Sequence, residues 1–201
     1  ECIPLIVASI LSKKLAEGTE ALVMDVKVGN GAFMKSREQA KKLARALIQV
    51  AKKMGLPCRA LLTDMNQPLG CAAGNALEVK ECIDILRGNK NTEGCSADLK
   101  ELTIQLCAHM LDVAKTTKNL AECRKLAHAK LADGSAWEVF QEMVRLQGGN
   151  VEQILDTDRL LRSAYTTVWT AKKRGYINSM DTEALGSISV TSALKQGGVP
   201  T

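Results

Sequence analysis

The chain has 201 residues, 46% apolar and 24% charged, which excludes disordered, collagen-like and coiled-coil classes and fits one domain or a small two-part unit. Lys and Arg outnumber Asp and Glu 27 to 22, for a net charge of +5, and only six residues are aromatic. With no basic cluster interleaved with stacking groups, nucleic-acid binding is not expected; an anionic small substrate suits the charge equally well. No apolar run approaches the ~18 residues of a membrane span, so no membrane partner is expected.

Seven cysteines, Cys2, Cys58, Cys71, Cys82, Cys95, Cys107 and Cys123, lie 11 to 56 residues apart without a C-x-x-C pair. In a chain of this length the spacing reads as reduced, mostly buried thiols and a cytoplasmic location. Glu1 runs straight into an apolar segment, without a charged leader or an A-x-A site, so a signal peptide is not expected. The chain reads as cut from something longer.

In chain order, Ile3, Ile6, Ile10, Leu11 and Leu15 give helical periodicity over Ile3–Glu17, with Gly18 as a stop. Ala21–Val28 is a short apolar run of buried parallel-strand type, broken by Gly29-Asn30-Gly31. Ser36 and Gln39 form a capping box ahead of a helix that turns Ala40, Leu43, Leu47, Ala51 and Met54 inward and ends at Gly55. Pro57–Thr63 is a second strand, completing a βαβ unit. The pairs Asn75/Glu78, Asn119/Glu122 and Ser135/Glu138 cap helices near 76–87, 120–132 and 136–147, and Ser96 precedes another near 97–115. Tyr165–Ala171 and Tyr176–Ser179 are expected to pair as a hairpin, and a final helix follows Asp181 and stops before Gly197-Gly198.

Three groups could carry chemistry. Ser9 and Lys13 share one helix face at i and i+4, about 5–6 Å apart at Cβ. They either grip a small ring bearing carbonyl and imide groups or form an exposed polar pair. The loop from Asp25 to Met34 follows the carboxyl end of a strand, where ligands gather in open α/β sheets. Within it Asp25 and Lys27 share a strand face as an ion pair, and Phe33 either joins the core or closes over a flat ligand. The long loop Thr63–Gly74 has carbonyls that, with Glu81, could bind a hard monovalent cation; alternatively Glu81 is a solvent-facing helix residue. His109 and His128 lack metal-ligand spacing and read as structural or exposed. The G-x-G is an incomplete dinucleotide signal, and the chain contains neither a nucleophile elbow nor a P-loop.

The run Ile3–Leu15 (IPLIVASILSKKL) resembles the helix before the central strand in thymidine and pyrimidine-nucleoside phosphorylases. So does Ala21–Met34 (ALVMDVKVGNGAFM). A third block, Leu62–Gly70 with Gly74–Val79, is similar to the family's next loop and helix, and fainter similarity continues to Leu185-Gly186. The resemblance implies a transferase: reversible phosphorolysis of a pyrimidine (deoxy)nucleoside to free base and (deoxy)ribose 1-phosphate. Ser9 and Lys13 match the family's serine and lysine on the pyrimidine edge, with Lys13 catalytic, and Phe33 matches a base-pocket side chain. Leu69, Ala72 and Glu81 match potassium-binding positions, the first two through main-chain oxygens. Inorganic phosphate is the implied co-substrate, no organic cofactor is implied, and the full-length protein is expected to be a cytoplasmic homodimer.

The family's phosphate-binding segment, substrate-contacting histidine and base-contacting arginine would all lie upstream of Glu1, so the 201 residues alone are expected to be inactive. The fold expected is α/β: a parallel mixed sheet with many helices, plus one helix from a separate all-α domain, truncated at both ends. Residues 1–18 are assigned to a returning helix of the small α domain and 19–201 to part of the large α/β domain. The alternative is a non-catalytic interaction module that keeps the phosphorylase fold.

Overall fold

The computed structural model describes residues 2–89, 94–157 and 166–195. Helix α1 spans Ile3–Ala16; Pro4 sits in its first turn, where a missing N–H costs nothing, and Lys13 and Lys14 complement the dipole of the last turn. Gly18 then turns the chain at φ +71° into β1 (Leu22–Val28). Helix α2 (Arg37–Lys53) opens on the expected capping box. The Gln39 N–H donates to Ser36 Oγ, and the Ser36 N–H donates to Gln39 Oε1, both at 3.3 Å. Strand β2 (Cys58–Asp64) lies parallel to β1, in a register that runs from Leu22 opposite Cys58 to Val28 opposite Asp64.

Alternation along the strands divides their side chains between two faces. Leu22, Met24, Val26 and Val28, with Cys58, Ala60 and Leu62, pack on Leu43, Leu47 and Ala51 of α2 and on Val7 and Leu11 of α1. Met54, expected in this core, is 52% exposed because the helix has ended at Lys53 and Met54 is its C-cap.

After β2 come α3 (Asn75–Leu86) and α4 (Ala97–Val113). Helix α4 covers the other face of the sheet, so the pair of strands lies between helices on both sides. Arg59, projecting from β2 to that side, contacts His109 Nδ1 at 2.7 Å and the Asp112 carboxylate at 2.6 Å on α4. Helix α5 (Leu120–Ala132) packs on α4, where Arg124 holds Glu101 with two parallel bonds of 2.7 and 2.9 Å. Helix α6 (Ser135–Leu146) lies against α5 and α3. A short α7 (Val151–Leu155), which the sequence pattern does not announce, follows. Helix α8 spans Thr182–Lys195.

Two caps differ from expectation. Helix α3 is capped at Gly74, whose N–H donates to Glu78 Oε1 at 2.8 Å, one residue before the expected Asn75. Helix α6 is capped at Gly134, and Ser135, its first residue, is held through its N–H and hydroxyl by Asp133 Oδ1 at 2.9 and 2.6 Å. The expected hairpin does not form: residues 166–181 carry no strand, and Val168, Trp169, Tyr176 and Ile177 project into solvent. Alternation there has no neighbouring sheet edge to bury its apolar side. Tyr165 and Gly197-Gly198 lie outside the described residues. Among the described residues no helix is long and apolar enough to cross a membrane.

Candidate functional site

The loops that leave β1 and β2 are tied into one wall at the carboxyl edge of the sheet. The Met65 N–H donates to the Val28 carbonyl at 2.7 Å, the Gly31 N–H to the Met65 carbonyl at 3.0 Å, and the Asn30 N–H to Asn66 Oδ1 at 3.0 Å. At Gly29 φ is +139°, and a Cβ would stand 2.7 Å from the Asn66 nitrogen, so only glycine permits this approach. Asn30 also fastens the start of α8: its Nδ2 donates to the Met180 carbonyl at 2.6 Å, and its Oδ1 accepts from the Thr182 N–H at 3.2 Å. Lys35 bridges the Asn30 carbonyl at 2.8 Å and Glu183 at 2.7 Å.

This wall borders a cavity of about 410 Å³ lined by Ile3, Gly31, Phe33, Met34, Gln39 and Glu183 among others. Phe33 is 64% exposed and lines the cavity rather than the core. Ser9 and Lys13 are exposed on α1, opposite the face that buries Val7 and Leu11. They do not line the cavity; Ser9 stands about 9 Å and Lys13 about 15 Å along the helix from Ile3, at 1.5 Å per residue. Among the described residues Lys13 has no ion-pair partner, whereas the adjacent Lys14 is engaged with Glu17 at 2.9 Å. Asp25 and Lys27 form the expected ion pair at 2.7 Å, and the Thr63 hydroxyl donates to the same carboxylate at 2.5 Å.

The third group closes around Glu81. This carboxylate is only 7% exposed, which discards the solvent-facing reading. Its Oε1 accepts from the Cys71 N–H at 2.8 Å and the Ser96 hydroxyl at 2.5 Å, and its Oε2 accepts from the Ala72 N–H at 3.2 Å. Gly70 (φ +73°) packs directly on the carboxylate, so a Cβ there would collide with it. The Gly70 N–H donates to Asp98 of α4 at 3.2 Å. Every donor to Glu81 is neutral, and among the described residues no Lys or Arg pairs with it. The shell contributed by Ser96 and Asp98 escapes sequence reasoning: Ser96 signals a helix start, but its hydroxyl serves a carboxylate fifteen residues upstream and not its own helix.

The cysteines depart from the expectation of uniformly reduced thiols. Cys71 and Cys95 are joined as a disulfide with their Cα atoms 5.6 Å apart, while Cys2, Cys58, Cys82, Cys107 and Cys123 are free. The turn before α4 lays Cys95 over the loop after β2, a juxtaposition that spacing alone does not disclose. Burial, then the Glu81 and Glu78 carboxylates, push the Cys82 thiol up, away from the reactive thiolate. Burial, then the Arg59 guanidinium, push the His109 imidazole below its ordinary value, with Asp112 opposing; the ring is a partner in the β2–α4 contact. His128 is exposed on α5. Among the described residues no three His, Cys, Asp or Glu side chains are grouped to hold a metal ion.

The family described as "Glycosyl transferase family, a/b domain" matches residues 3–137, which contain α1, both strands, the wall of loops and the Glu81 shell. The chain is 41% identical over 188 residues to a pyrimidine-nucleoside phosphorylase of Geobacillus stearothermophilus, and the match covers 94% of this chain and 42% of the relative. It is 47% identical over 191 residues to a thymidine phosphorylase of Agrobacterium fabrum, covering 94% of this chain and 43% of the relative. It is 40% identical to a pyrimidine-nucleoside phosphorylase of Staphylococcus aureus over a similar span. The chain thus spans a little over two fifths of the length of these relatives. With its sheet, loops and α1 all inside the matched span, the chain belongs to the glycosyl transferase family defined by this a/b domain.

Proposed function

We propose that the protein containing this chain carries out reversible phosphorolysis of a pyrimidine nucleoside or deoxynucleoside, and that this chain supplies the base-binding part of its cleft. The observation that carries the proposal is the bare Ser9–Lys13 face of α1, exposed and opposite the buried Val7 and Leu11, in a chain 40–47% identical to proteins named as such phosphorylases. In the reaction a phosphate oxygen bonds to the anomeric carbon as the bond to the base nitrogen breaks, and the departing pyrimidine gains negative charge over its ring nitrogens and carbonyls. Lys13 holds an ammonium where that charge appears, and Ser9 one turn away donates or accepts along the imide edge. Because the charge exists fully only late in the reaction, the Lys13 contact strengthens toward the transition state. Phe33, exposed at the cavity wall, covers the flat face of the base. Phosphate is held by other parts of the protein.

Residues 1–18 are proposed to be the returning helix of a small helical domain, packed through Val7 and Leu11 on the core of the sheet with Gly18 at the junction, and the working protein is proposed to be a cytoplasmic homodimer. A potassium ion is proposed at the loop after β2, held by the main-chain oxygens of Leu69 and Ala72 and by Glu81. The donor set fits. The Glu81 oxygens meet only neutral N–H and O–H donors, and hard oxygen ligands of this kind suit a singly charged cation with oxygen preference. Such an ion supplies charge balance to the loop and no chemical step. The test is kinetic. The intact protein should release free base from uridine or thymidine only with phosphate present. Lys13→Ala should lower kcat/KM about 10- to 150-fold, the worth of one charge-assisted hydrogen bond, with melting temperature unchanged. Wild-type kinetics in that variant would return Lys13 to an ordinary surface role.

A further inference from the structure

We propose that Cys71 and Cys95 are a reversible modification site, a thiol–disulfide switch set by low-molecular-weight disulfides, which locks the Glu81-bound loop to the start of α4. The two Cα atoms lie 5.6 Å apart across 24 positions of sequence, within the span that a bridge requires. Both residues are exposed, as are Cys2 and Cys82, whereas Cys123 is buried and Cys58 and Cys107 are partly so; among the exposed cysteines this pair is the one that is joined, and a small disulfide reaches it. With five of the seven cysteines free, the chain is not a disulfide framework, and in the cytoplasmic setting proposed above an isolated pair of this kind is characteristic of redox sensing.

The setting also ties the pair to the Glu81 shell. Cys71 offers its N–H, and Ser96, the neighbour of Cys95, its hydroxyl, to the same Glu81 oxygen, at 2.8 and 2.5 Å. The covalent bridge and the Glu81 shell thus join the same two segments. In the bridged form Cys71 Sγ also lies 3.5 Å from Ser96 Oγ. Oxidation therefore removes loop freedom without demanding a new fold. The exchange is balanced: one protein thiolate attacks a sulfur of the small disulfide and expels one small thiolate, leaving a mixed disulfide. The second protein thiolate then attacks the protein sulfur and expels the other small thiol. The protein loses two protons and two electrons, the small disulfide gains them, and a dithiol reverses the step.

The inference does not depend on the phosphorolysis reading, because its readout needs no nucleoside. The intact protein is equilibrated with glutathione disulfide and glutathione at a series of ratios, alkylated, and mapped without reduction; amide hydrogen exchange is followed on both forms. A peptide linking Cys71 to Cys95, about 2 Da lighter than the two thiol peptides together, should appear and should disappear on reduction. The amides of Cys71 and Ala72 should exchange at least about tenfold more slowly in the bridged form. Cys95→Ser should exchange like the reduced wild type at every ratio. Persistent alkylation of both thiols, capture of glutathione on Cys71 without bridging, or equal exchange in the two wild-type forms would overturn the proposal.

Discussion

Glu81 shows what a single residue does in this fold: one carboxylate gathers donors from the loop after β2 and from the turn before α4. Replacing one carboxylate oxygen by an amide group turns a donor toward other donors, so Glu81→Gln should destabilise the intact protein by about 1.5–3 kcal/mol, measured by denaturant unfolding. An unchanged midpoint would mean that the loop is held by other contacts. Gly70→Ala should act on the same loop, since φ is +73° and the added methyl meets the Glu81 carboxylate; a loss of at least about 1 kcal/mol is expected. Asp133 is the third residue of this kind. The hydroxyl and N–H of Ser135, then Lys130, hold its carboxyl at about 2, below the ordinary value of 3.8. A depressed folded pKa means stabilisation that is present in full above the unfolded value and is lost as pH falls from there through about 2. Asp133→Asn should flatten the acid limb of the stability curve between those values, and an identical limb in the variant would remove Asp133 from the account.

Among the elements, α2 is the one whose entry the sequence states most fully. Ser36 and Gln39 bond reciprocally, and Ser36→Ala should cost about 1 kcal/mol, within the 0.5–2 range for lost N-caps; a loss below measurement would show that the cap is replaced by water. The β1–α2–β2 unit was legible because its signals are local: apolar runs of strand length, a cap, a period of 3.6 and glycine stops. Asn119 was legible for the same reason, its Oδ1 accepting from the Glu122 N–H at 3.0 Å. Ser135 and Asn75 carry the same signal, but each helix begins one residue earlier, at a glycine, where positive φ makes the turn. Alternation at 166–171 suggested a strand, yet a strand exists only with a partner, and none is formed there. The Ser96–Glu81 bond, the Cys71–Cys95 pair and the clasp of Asn30 on α8 join positions 15 to 152 residues apart. No local pattern encodes such contacts. Glu81 itself was singled out by its place after the long loop and again by resemblance, and the structure adds that it is buried.

For the whole molecule, two strands and their flanking helices position two of the candidate groups at the carboxyl edge of the sheet, Phe33 with the cavity after β1 and the Glu81 shell after β2, while Ser9 and Lys13 stand about 9 and 15 Å along α1 from Ile3 at the cavity. The family assignment rests on residues 3–137, and the division of labour proposed for the intact protein follows from it. In that proposed division this chain grips the base and the remainder of the protein supplies the phosphate and sugar contacts. The most direct test is phosphorus NMR of the intact protein incubated with thymidine or uridine and inorganic phosphate. The account predicts that the phosphate resonance falls while a sugar 1-phosphate resonance grows, in step with equimolar free base, and that adding sugar 1-phosphate and base runs the exchange backward. Base release with the phosphate resonance untouched, or no turnover of any pyrimidine nucleoside, would contradict it.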